Sequence, residues 1–435
     1  MPESSYPLFA LPERTTAGGP IPRPGADVTR GPDQILSLRS PTAGSHLVQV
    51  NPLWPVTLRF PPLERDLKVD VAIVGAGIAG ISCGYHLSRA GYDVAVIEQD
   101  EIGSGASGAS SGVLYYGSGL NFAPSSRLFG EERTQLLWKE TGKAIEEIAR
   151  VQDRYAVECG FRRCGSIMVA KTQAELESLE SERAGLARCG ISSRILGTDE
   201  VRSIFPRRAF SGGLTFDACS QVHPALLASG LAKGADLDVY EHSPMTGFDE
   251  GAHSVIVKTP NSKITCSTLL LATNHQPAFG LESYFEFESS VILASQSLPH
   301  IDSTWLQEKI LWSMEEKYDL VYPRGNRAIL ELYQLGDEKA KLSYYYPGLD
   351  FRVEHEWGDV WAKTHDWLPI VGRVTPRVAV AIAMGDQGII MSWVSAAHIT
   401  KSLEGERDWF LEMVSPRRFY GSESGRSGAT NSHGR

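Results

Sequence analysis

The chain has 435 residues, of which 42% are hydrophobic and 22% are charged, and its formal net charge is −10. A chain of this length can bury a large core and usually forms two domains. The negative charge argues against a nucleic-acid partner or an anionic membrane surface, and no apolar run is long enough for a membrane-spanning helix. These values are typical of an ordinary soluble globular protein.

The two ends of the chain differ in composition from its centre. Residues 1–66 are rich in proline, glycine and serine and have no hydrophobic periodicity. We expect them to form an arm that lies on the folded body or is disordered. Residues 406–435 are expected to form a tail, which becomes rich in serine and glycine from residue 421.

The six cysteines have neither metal-ligand spacing nor the spacing of a redox pair, and the N-terminus lacks the apolar segment of a secretory signal. We therefore expect reduced thiols, a cytoplasmic location and no metal site. The cysteines are Cys83, Cys159, Cys164, Cys189, Cys219 and Cys266.

Residues 69–98 read as a strand, a glycine-rich turn, a helix and a second strand that ends on an acid. Gly75 permits a tight turn, Gly77 lets the backbone approach a pyrophosphate, and Gly80 lets the helix pack closely on the sheet. The helix N-terminus offers free N–H groups to phosphates, and Glu98 is placed to accept hydrogen bonds from a ribose diol. The pattern predicts a dinucleotide site, for either a nicotinamide or a flavin.

The central part of the chain predicts alternating helices and strands. Apolar residues at helical spacing predict a long helix over about 128–157, and Pro224 is placed to begin another, because proline favours the first helical turn. The other predicted elements are helices over 173–189 and 198–204, and strands over 211–219, 238–240, 254–259, 264–271, 291–298 and 319–332.

A second strand–turn–helix unit closes the pattern. A strand over 378–384 is followed by the turn 385–388 and by a helix over about 390–404. A returning strand of this kind can bring a second helix N-terminus to the same cofactor.

In this order and at these spacings, the motifs resemble the D-amino acid oxidase family of FAD-dependent oxidoreductases. The resemblance is to its branch of glycine oxidase, sarcosine oxidase and gamma-glutamylputrescine oxidase, and it covers about residues 67–419. The motifs that carry it are Asp70–Gly80, Gly105–Gly108, Val222–Pro224, Ala272–Asn274, Asp366–Gly372, Gly385–Gly388 and Ser415–Phe419.

The resemblance implies an α/β fold with two discontinuous domains. One is a Rossmann-like FAD-binding domain, and the other is an α+β substrate domain built on an antiparallel sheet. The expected ranges are 67–120, 205–285 and 355–405 for the FAD domain, and 121–204 and 286–354 for the substrate domain.

The resemblance also implies noncovalent FAD and oxidation of a C–N bond of an amine or amino acid. Hydride would pass to flavin N5, and O2 would be the acceptor. Two alternatives stay open: an FAD-dependent dehydrogenase of a 2-hydroxy acid or polyol phosphate with a non-oxygen acceptor, and a flavin-binding protein without turnover.

Several cofactor contacts follow from the resemblance. Ser107 and Gly108 match the family loop over the pyrophosphate, although an ordinary flexible turn has the same composition. Met245 lies where family members bring a strand backbone to the adenine, and a core methionine is the alternative. Thr273 and Asn274 end a strand at the carboxyl edge of the sheet, where ligands of open α/β sheets bind; a polar strand exit is equally compatible.

Within the second glycine turn, Gly385, Gln387, Gly388 and Ile389 match a family turn whose N–H groups lie near flavin O2 and N1. A helix N-terminus aimed there stabilises the negative charge of the reduced flavin.

Three further residues are candidates for substrate binding or catalysis. Arg324 could clamp a carboxylate with Tyr322 as a hydrogen-bonding neighbour, and the alternative is a solvated arginine at a turn. His365 could move protons near neutral pH, although a loop histidine with a structural role is more common. Aromatic residues that could line a pocket or belong to the core are Tyr115, Tyr116, Trp361, Trp367 and Trp393.

Overall fold

The structure is a computed structural model. It describes residues 53, 56–205, 210–217, 219–274, 279–298, 301, 309–314, 318–333, 338–345, 351–406 and 408–419. Most of the expected N-terminal arm and the end of the expected tail therefore lie outside the described residues.

The helices follow the predicted order closely. The long helix predicted over 128–157 is two helices, because Gly130 adopts a left-handed φ of 84° between them. The described helices are α1 (Ile78–Arg89), α2 (Ala106–Ala109), α3 (Phe122–Phe129), α4 (Glu131–Arg154), α5 (Gln173–Arg188), α6 (Thr198–Ile204), α7 (Pro224–Gly234), α8 (Glu338–Tyr345), α9 (Gly388–Leu403) and α10 (Trp409–Val414).

The strands form two large sheets and one small sheet. The described strands are β1 (Leu67–Val74), β2 (Val94–Ile97), β3 (Val113–Leu114), β4 (Arg162–Arg163), β5 (Ser166–Ala170), β6 (Ser193–Leu196), β7 (Gly212–Phe216), β8 (Ser220–Gln221), β9 (Asp238–Tyr240), β10 (Gly247–Glu250), β11 (Val255–Lys258), β12 (Lys263–Leu271), β13 (Phe285–Ser295), β14 (Ile310–Ser313), β15 (Asp319–Arg324), β16 (Arg327–Leu332), β17 (Val353–Thr364), β18 (Ile370–Arg373) and β19 (Val378–Ile382).

The first large sheet has a parallel centre, in which β9, β2, β1, β12 and β19 lie side by side. The first half of β12 pairs antiparallel with β11, which pairs with β10, and its second half pairs parallel with β19. Alternate residues of β1 face opposite layers: Val71 and Ile73 pack with the helices, and Ala72 and Val74 pack with the other layer. Both faces are covered, as parallel sheets require.

The second large sheet is mostly antiparallel, in the order β17-β13-β16-β15-β14-β5-β7-β6. The pair β14 and β5 is parallel. The strands β3, β8 and β4, in that order, form a small third sheet. The α/β class with a second, antiparallel sheet is therefore as predicted.

The sheets suggest a change to two domain boundaries. Residues 205–285 and 355–405 were expected in the FAD domain, but β7 pairs with β5 and β6, and β17 pairs with β13. We propose that β7 and β17 belong to the substrate domain, with the other expected ranges unchanged.

The end of the expected N-terminal arm lies on the first domain. Leu63 is buried, and its N–H donates to Ser243 Oγ at 2.8 Å. The N–H of Phe60 donates to the buried carboxylate of Glu241 at 2.9 Å. All six cysteines are free thiols. Within the described residues, no helix combines the length and the apolar character needed to cross a membrane.

Candidate active site

The glycine turn after β1 has no room for side chains. Gly75 has a φ of 103°, and a Cβ on it would lie 2.6 Å from the carbonyl oxygen of Ala272. A Cβ on Gly80 would lie 1.8 Å from the carbonyl oxygen of Gly75, so the helix can approach the turn only with glycine there. At Gly77, whose backbone borders the cavity described below, a Cβ would lie 3.2 Å from Ser107 Oγ.

Polar groups surround this turn. Glu98 follows β2 directly, and its carboxylate accepts from the N–H groups of Ala76 at 2.8 Å and Asp100 at 3.1 Å. Ser107 Oγ accepts from the N–H of Ile78 at 2.9 Å. The side chain of Ser107 therefore lies at the N-terminus of α1, where N–H groups have no partner within the helix.

A second helix N-terminus lies at the same carboxyl edge of the sheet. The turn before α9 begins at Gly385, whose φ is 72°. Gln387 is the N-cap of α9, and its Oε1 accepts from the N–H of Tyr115 at 3.2 Å. Gly388 and Ile389 are the first residues of the helix, so their N–H groups are free for a ligand.

One cavity of about 390 Å³ connects the two helix N-termini. Two predicted cofactor residues, Gly80 and Gly108, do not line it. A Cβ on Gly108 would lie 2.6 Å from the carbonyl oxygen of Gly103, so glycine is needed there for close packing of the backbone. The predicted residues that line the cavity are Gly75, Gly77, Glu98, Ser107, Met245, Thr273, Asn274, Gly385, Gln387, Gly388 and Ile389.

Away from the glycine turn, the cavity ends at side chains from the second sheet and from the turn before α9. We call this part the acidic end. The hydroxyls of Tyr318 and Tyr333 donate to the two oxygens of Asp386 at 2.6 and 2.7 Å, and they lie 3.2 Å from each other. Gln387 Nε2 donates to the same carboxylate at 3.0 Å. The residues of the acidic end are Tyr318, Glu331, Tyr333, Trp361 and Asp386.

Glu331 is the second carboxyl of the acidic end and is only 4% exposed. Its Oε1 accepts from Ser290 Oγ at 2.8 Å, and its Oε2 has no hydrogen-bond partner among the described residues. Burial raises the pKa of Glu331 to about 7 and the carboxylate of Asp386 adds to this effect, while the hydroxyls of Ser111, Ser290 and Tyr333 oppose it. A carboxyl with this pKa can change protonation state near neutral pH.

Aromatic rings complete the acidic end. The rings of Tyr318 and Tyr333 are 4.7 Å apart, and Trp361 meets Tyr333 edge-on at 5.6 Å. Trp361 is buried, and its Nε1 has no hydrogen-bond partner among the described residues. The end of the cavity therefore combines carboxylates with aromatic surfaces.

All the charged side chains among the described residues of the cavity lining are acidic. No lysine, arginine or histidine is found among the described residues that line it. The carboxyl groups on the lining are Glu98, Asp100, Glu331 and Asp386.

Tyr322 and Arg324 do not line this cavity. They lie on the same face of β15 as Leu320, which does line it, but farther along the strand. Arg324 is four residues beyond Leu320, which corresponds to about 13 Å. The hydroxyl of Tyr322 donates to the carbonyl oxygen of Ser111 at 3.1 Å, and Arg324 donates to that of Val222 at 3.2 Å. Ser111 lines the cavity just before β3, and Val222 directly follows β8. These contacts tie β15 to the chain beside the small sheet and give no support to a carboxylate clamp.

His365 also lies away from the cavity. Its side chain is 43% exposed, and its Nδ1 lies 3.2 Å from a carboxylate oxygen of Glu286. Of the predicted aromatic residues, Trp361 lines the cavity, whereas Trp393 packs on Tyr85 in the core and donates to Glu147 at 3.0 Å. Tyr115 packs between core rings, and Trp367 lies against Lys363.

The sequence interpretation missed Tyr318, Tyr333, Glu331 and Asp386. Asp386 lies inside the recognised turn, for which the prediction names Gly385, Gln387, Gly388 and Ile389 but not the aspartate. Glu331 is the one charged residue in the buried run 328–332, and a carboxylate in such a run is a signal for a functional group. Neither signal shows that the two carboxyls share a cavity, because that depends on the arrangement of the second sheet.

The fold and the site together define a dinucleotide-binding protein with a second sheet closing its cavity. The glycine turn, the acid after β2 and the second helix N-terminus lie at the carboxyl ends of parallel strands, which is where ligands of open α/β sheets bind.

Comparison with known proteins identifies the family. Residues 70–402 match the family of FAD-dependent oxidoreductases (DAO), and the chain belongs to it. The chain is 25% identical to the gamma-glutamylputrescine oxidoreductase of Escherichia coli K12 over 381 residues, which is 81% of this chain and 87% of that protein.

Solved structures share the fold. The crystal structure of glycine oxidase from Geobacillus kaustophilus has a TM-score of 0.65 and 19% identity, and the match covers 80% of this chain and 98% of that one. The L-amino acid deaminase of Proteus myxofaciens has a TM-score of 0.70 and 13% identity, over 83% of this chain and 96% of that one.

The cavity fits FAD. The glycine turn provides a cradle that a Cβ would fill, and two helix N-termini border the cavity, where their N–H groups suit an anionic cofactor. Glu98 lines the same cavity beside the glycine turn. The protein is thus an FAD-dependent oxidoreductase, as the sequence predicts.

Proposed function

We propose that the protein oxidises a C–N bond of an amine or amino acid, with FAD as hydride acceptor and O2 as the final electron acceptor. The observation that carries this proposal is the continuity of one cavity, from the dinucleotide cradle to the acidic end. A substrate at the acidic end would share the cavity with the flavin ring. The similarity to a gamma-glutamylputrescine oxidoreductase supports a reaction of this class.

FAD bound here would supply a hydride acceptor at N5 and a route for two electrons to the final acceptor. The chain positions the substrate and stabilises charge. The N-terminus of α9 places its first N–H groups beside the cavity, where the helix dipole favours negative charge.

Glu331 is the residue that we assign to proton transfer. An amine gives up hydride from its carbon only when its nitrogen carries a lone pair, so a protonated amine must first lose a proton. The Oε2 atom of Glu331 lacks a hydrogen-bond partner among the described residues, and the carboxylate can take that proton to become a neutral acid. The elevated pKa of Glu331, about 7, suits this exchange near neutral pH.

The cofactor residues are proposed on the same basis. The predicted residues that line the cavity would hold FAD, and Gly80 and Gly108 would support the cradle from behind. We propose that FAD is noncovalent, because no cysteine or histidine occurs among the described residues of the lining. A cytoplasmic location stays a prediction that the six free thiols support.

The test is a substrate panel with the purified holoprotein. Amines and amino acids are mixed with it under air and peroxide is measured, and the same compounds are mixed anaerobically while loss of the yellow flavin colour is followed. We expect bleaching and peroxide with at least one amine. Bleaching by 2-hydroxy acids or glycerol phosphate but by no amine would contradict the proposal, and so would the absence of bleaching by any compound.

A further inference from the structure

We propose that the acidic end is a cation subsite, which selects substrates with a protonated amine and no carboxylate on the reacting carbon. The inference rests on the proposed function, because it concerns the substrate of that reaction. It narrows the substrate from amines and amino acids to amines alone.

The distribution of charge is the first argument. A bound amino acid would bring its carboxylate into a cavity whose described charged residues are all acidic. Recognition of a carboxylate in proteins generally uses arginine or lysine, and Arg324 is committed to the carbonyl oxygen of Val222 outside the cavity. The same acidic residues would attract an ammonium group, in particular Glu331 and Asp386.

The two carboxyls are not equivalent, and this is the second argument. Asp386 already accepts hydrogen bonds from Tyr318, Tyr333 and Gln387. Glu331 accepts from Ser290 Oγ through Oε1, and its Oε2 is buried with no hydrogen-bond partner among the described residues. A buried acceptor without a donor is rare in proteins and destabilising. An N–H group of a substrate ammonium would supply the missing donor.

Aromatic surfaces provide the third argument. Trp361, Tyr333 and Tyr318 are in sequential ring contact beside the carboxyls. Faces of tryptophan and tyrosine attract cations, and they do so more strongly where water is excluded. They give no comparable attraction to a carboxylate. The same three rings would contact the alkyl carbons next to the nitrogen.

The position of Glu331 follows from strand register. Glu331 pairs with Leu320 across β15 and β16, and with Ile292 across β13 and β16. It therefore lies on a central strand that is held on both sides, and Ser290 of β13 fixes one of its oxygens. A carboxyl held in this way keeps its place when a ligand binds, which favours selectivity over adaptability.

The direct test measures binding without turnover. Tetramethylammonium is a permanent cation whose nitrogen has no lone pair. Because it cannot become a neutral amine, it cannot give up hydride and is not oxidised. The holoprotein is titrated with tetramethylammonium and, separately, with acetate, and the absorbance change of bound FAD is followed. We expect saturable binding of tetramethylammonium and at least about tenfold weaker binding of acetate.

Variants test the assignment to Glu331. The substitution Glu331→Gln keeps the shape and removes the charge, and we expect it to weaken tetramethylammonium at least about tenfold. The control is Glu182→Gln, because Glu182 is equally buried but does not line the cavity. The control should bind tetramethylammonium like the wild type. If Glu331→Gln does not fold or loses FAD, Asp386→Asn is used in its place with the same expectation.

The outcomes separate the subsite from the reaction. Equal or tighter binding of acetate, or unchanged binding of tetramethylammonium by the variant, would overturn the cation subsite. If tetramethylammonium binds as expected but no amine bleaches the flavin, the subsite stands and the proposed function fails. If amino acids bleach the flavin as fast as amines and acetate binds as well as tetramethylammonium, the subsite fails and C–N oxidation stands.

Discussion

The two ends of the cavity are built in different ways. The dinucleotide end consists mainly of backbone: glycines, a tight turn and helix N-termini at the ends of parallel strands. The acidic end consists of side chains that come from β16 and the residue after it, β17, the residue before β15 and the turn before α9. The dinucleotide end suits the cofactor, which is the same whatever the substrate. The second end can vary with the substrate while the fold stays the same.

The largest expected effect is at the dinucleotide end. The substitution Gly77→Asp places a carboxylate where the pyrophosphate would lie, and two like charges about 4 Å apart repel by about 4 kcal/mol. We expect FAD affinity to fall roughly a thousandfold, and the purified variant to be colourless. The control is Gly247→Ala, where a Cβ would meet nothing within 4 Å. Stoichiometric FAD in Gly77→Asp would show that the cofactor site is misplaced.

A second prediction concerns the pH dependence of the acidic end. Because burial raises the pKa of Glu331 to about 7, its negative charge is gained as the pH rises through that value. Tetramethylammonium does not titrate, so its affinity for the wild type should increase up to about tenfold per pH unit below the pKa, and level off above it. Glu331→Gln should remove most of this dependence. An equally steep profile in the variant would assign the titration to another group.

Asp386→Asn should have a moderate effect. The aspartate accepts from Tyr318 and Tyr333 through two separate oxygens, whereas asparagine offers a single oxygen. One hydroxyl then loses its acceptor, at a cost of about 1–3 kcal/mol. We expect kcat/KM for n-butylamine to fall at least about tenfold with FAD content unchanged. The control Asp249→Asn, at an exposed ion pair with Lys258, should keep the wild-type kcat/KM.

Arg324→Ala should change stability but not selectivity. The substitution removes the hydrogen bond to the carbonyl oxygen of Val222 and should lower the free energy of unfolding by about 1–3 kcal/mol, as measured by denaturant titration. The ratio of KM values for norvaline and n-butylamine should stay the same. A selective rise of the KM for norvaline would instead restore the carboxylate clamp predicted from the sequence.

The smallest effect is expected for His365. This side chain is half-exposed and pairs with Glu286 outside the cavity, so His365→Ala should leave kcat and its pH profile within about twofold of the wild type. Loss of one limb of the pH profile would show that His365 acts in proton transfer after all.

The fold and the dinucleotide end could be predicted because their signals are local. The turn, the helix and the acid of the βαβ unit all lie within residues 69–98, and each has a fixed physical reason for its residue type. The helix α6 and the strand β9 even begin and end at the predicted residues, and Glu200, which accepts from the N–H of Gly197 as in a capping box, marks the start of α6.

The acidic end could not be predicted in the same way. Tyr318 and Asp386 are 68 residues apart in sequence but share a hydrogen bond of 2.6 Å. Their contact depends on how the second sheet is placed against the first, which no local pattern encodes. Conversely, Arg324 fits the residue type of a carboxylate clamp, but its register on β15 moves it beyond the cavity. Residue type predicts chemistry, and only the three-dimensional arrangement decides which residues meet.

The central claim is that the acidic end selects an amine without a carboxylate. Norvaline differs from n-butylamine only by a carboxylate on the carbon that reacts. Each compound is mixed anaerobically with the holoprotein, and the second-order rate constant for loss of the yellow colour is measured. A carboxylate about 5 Å from Glu331 costs about 3 kcal/mol, so n-butylamine should react at least about a hundredfold faster than either enantiomer of norvaline. Faster bleaching by norvaline would contradict the claim.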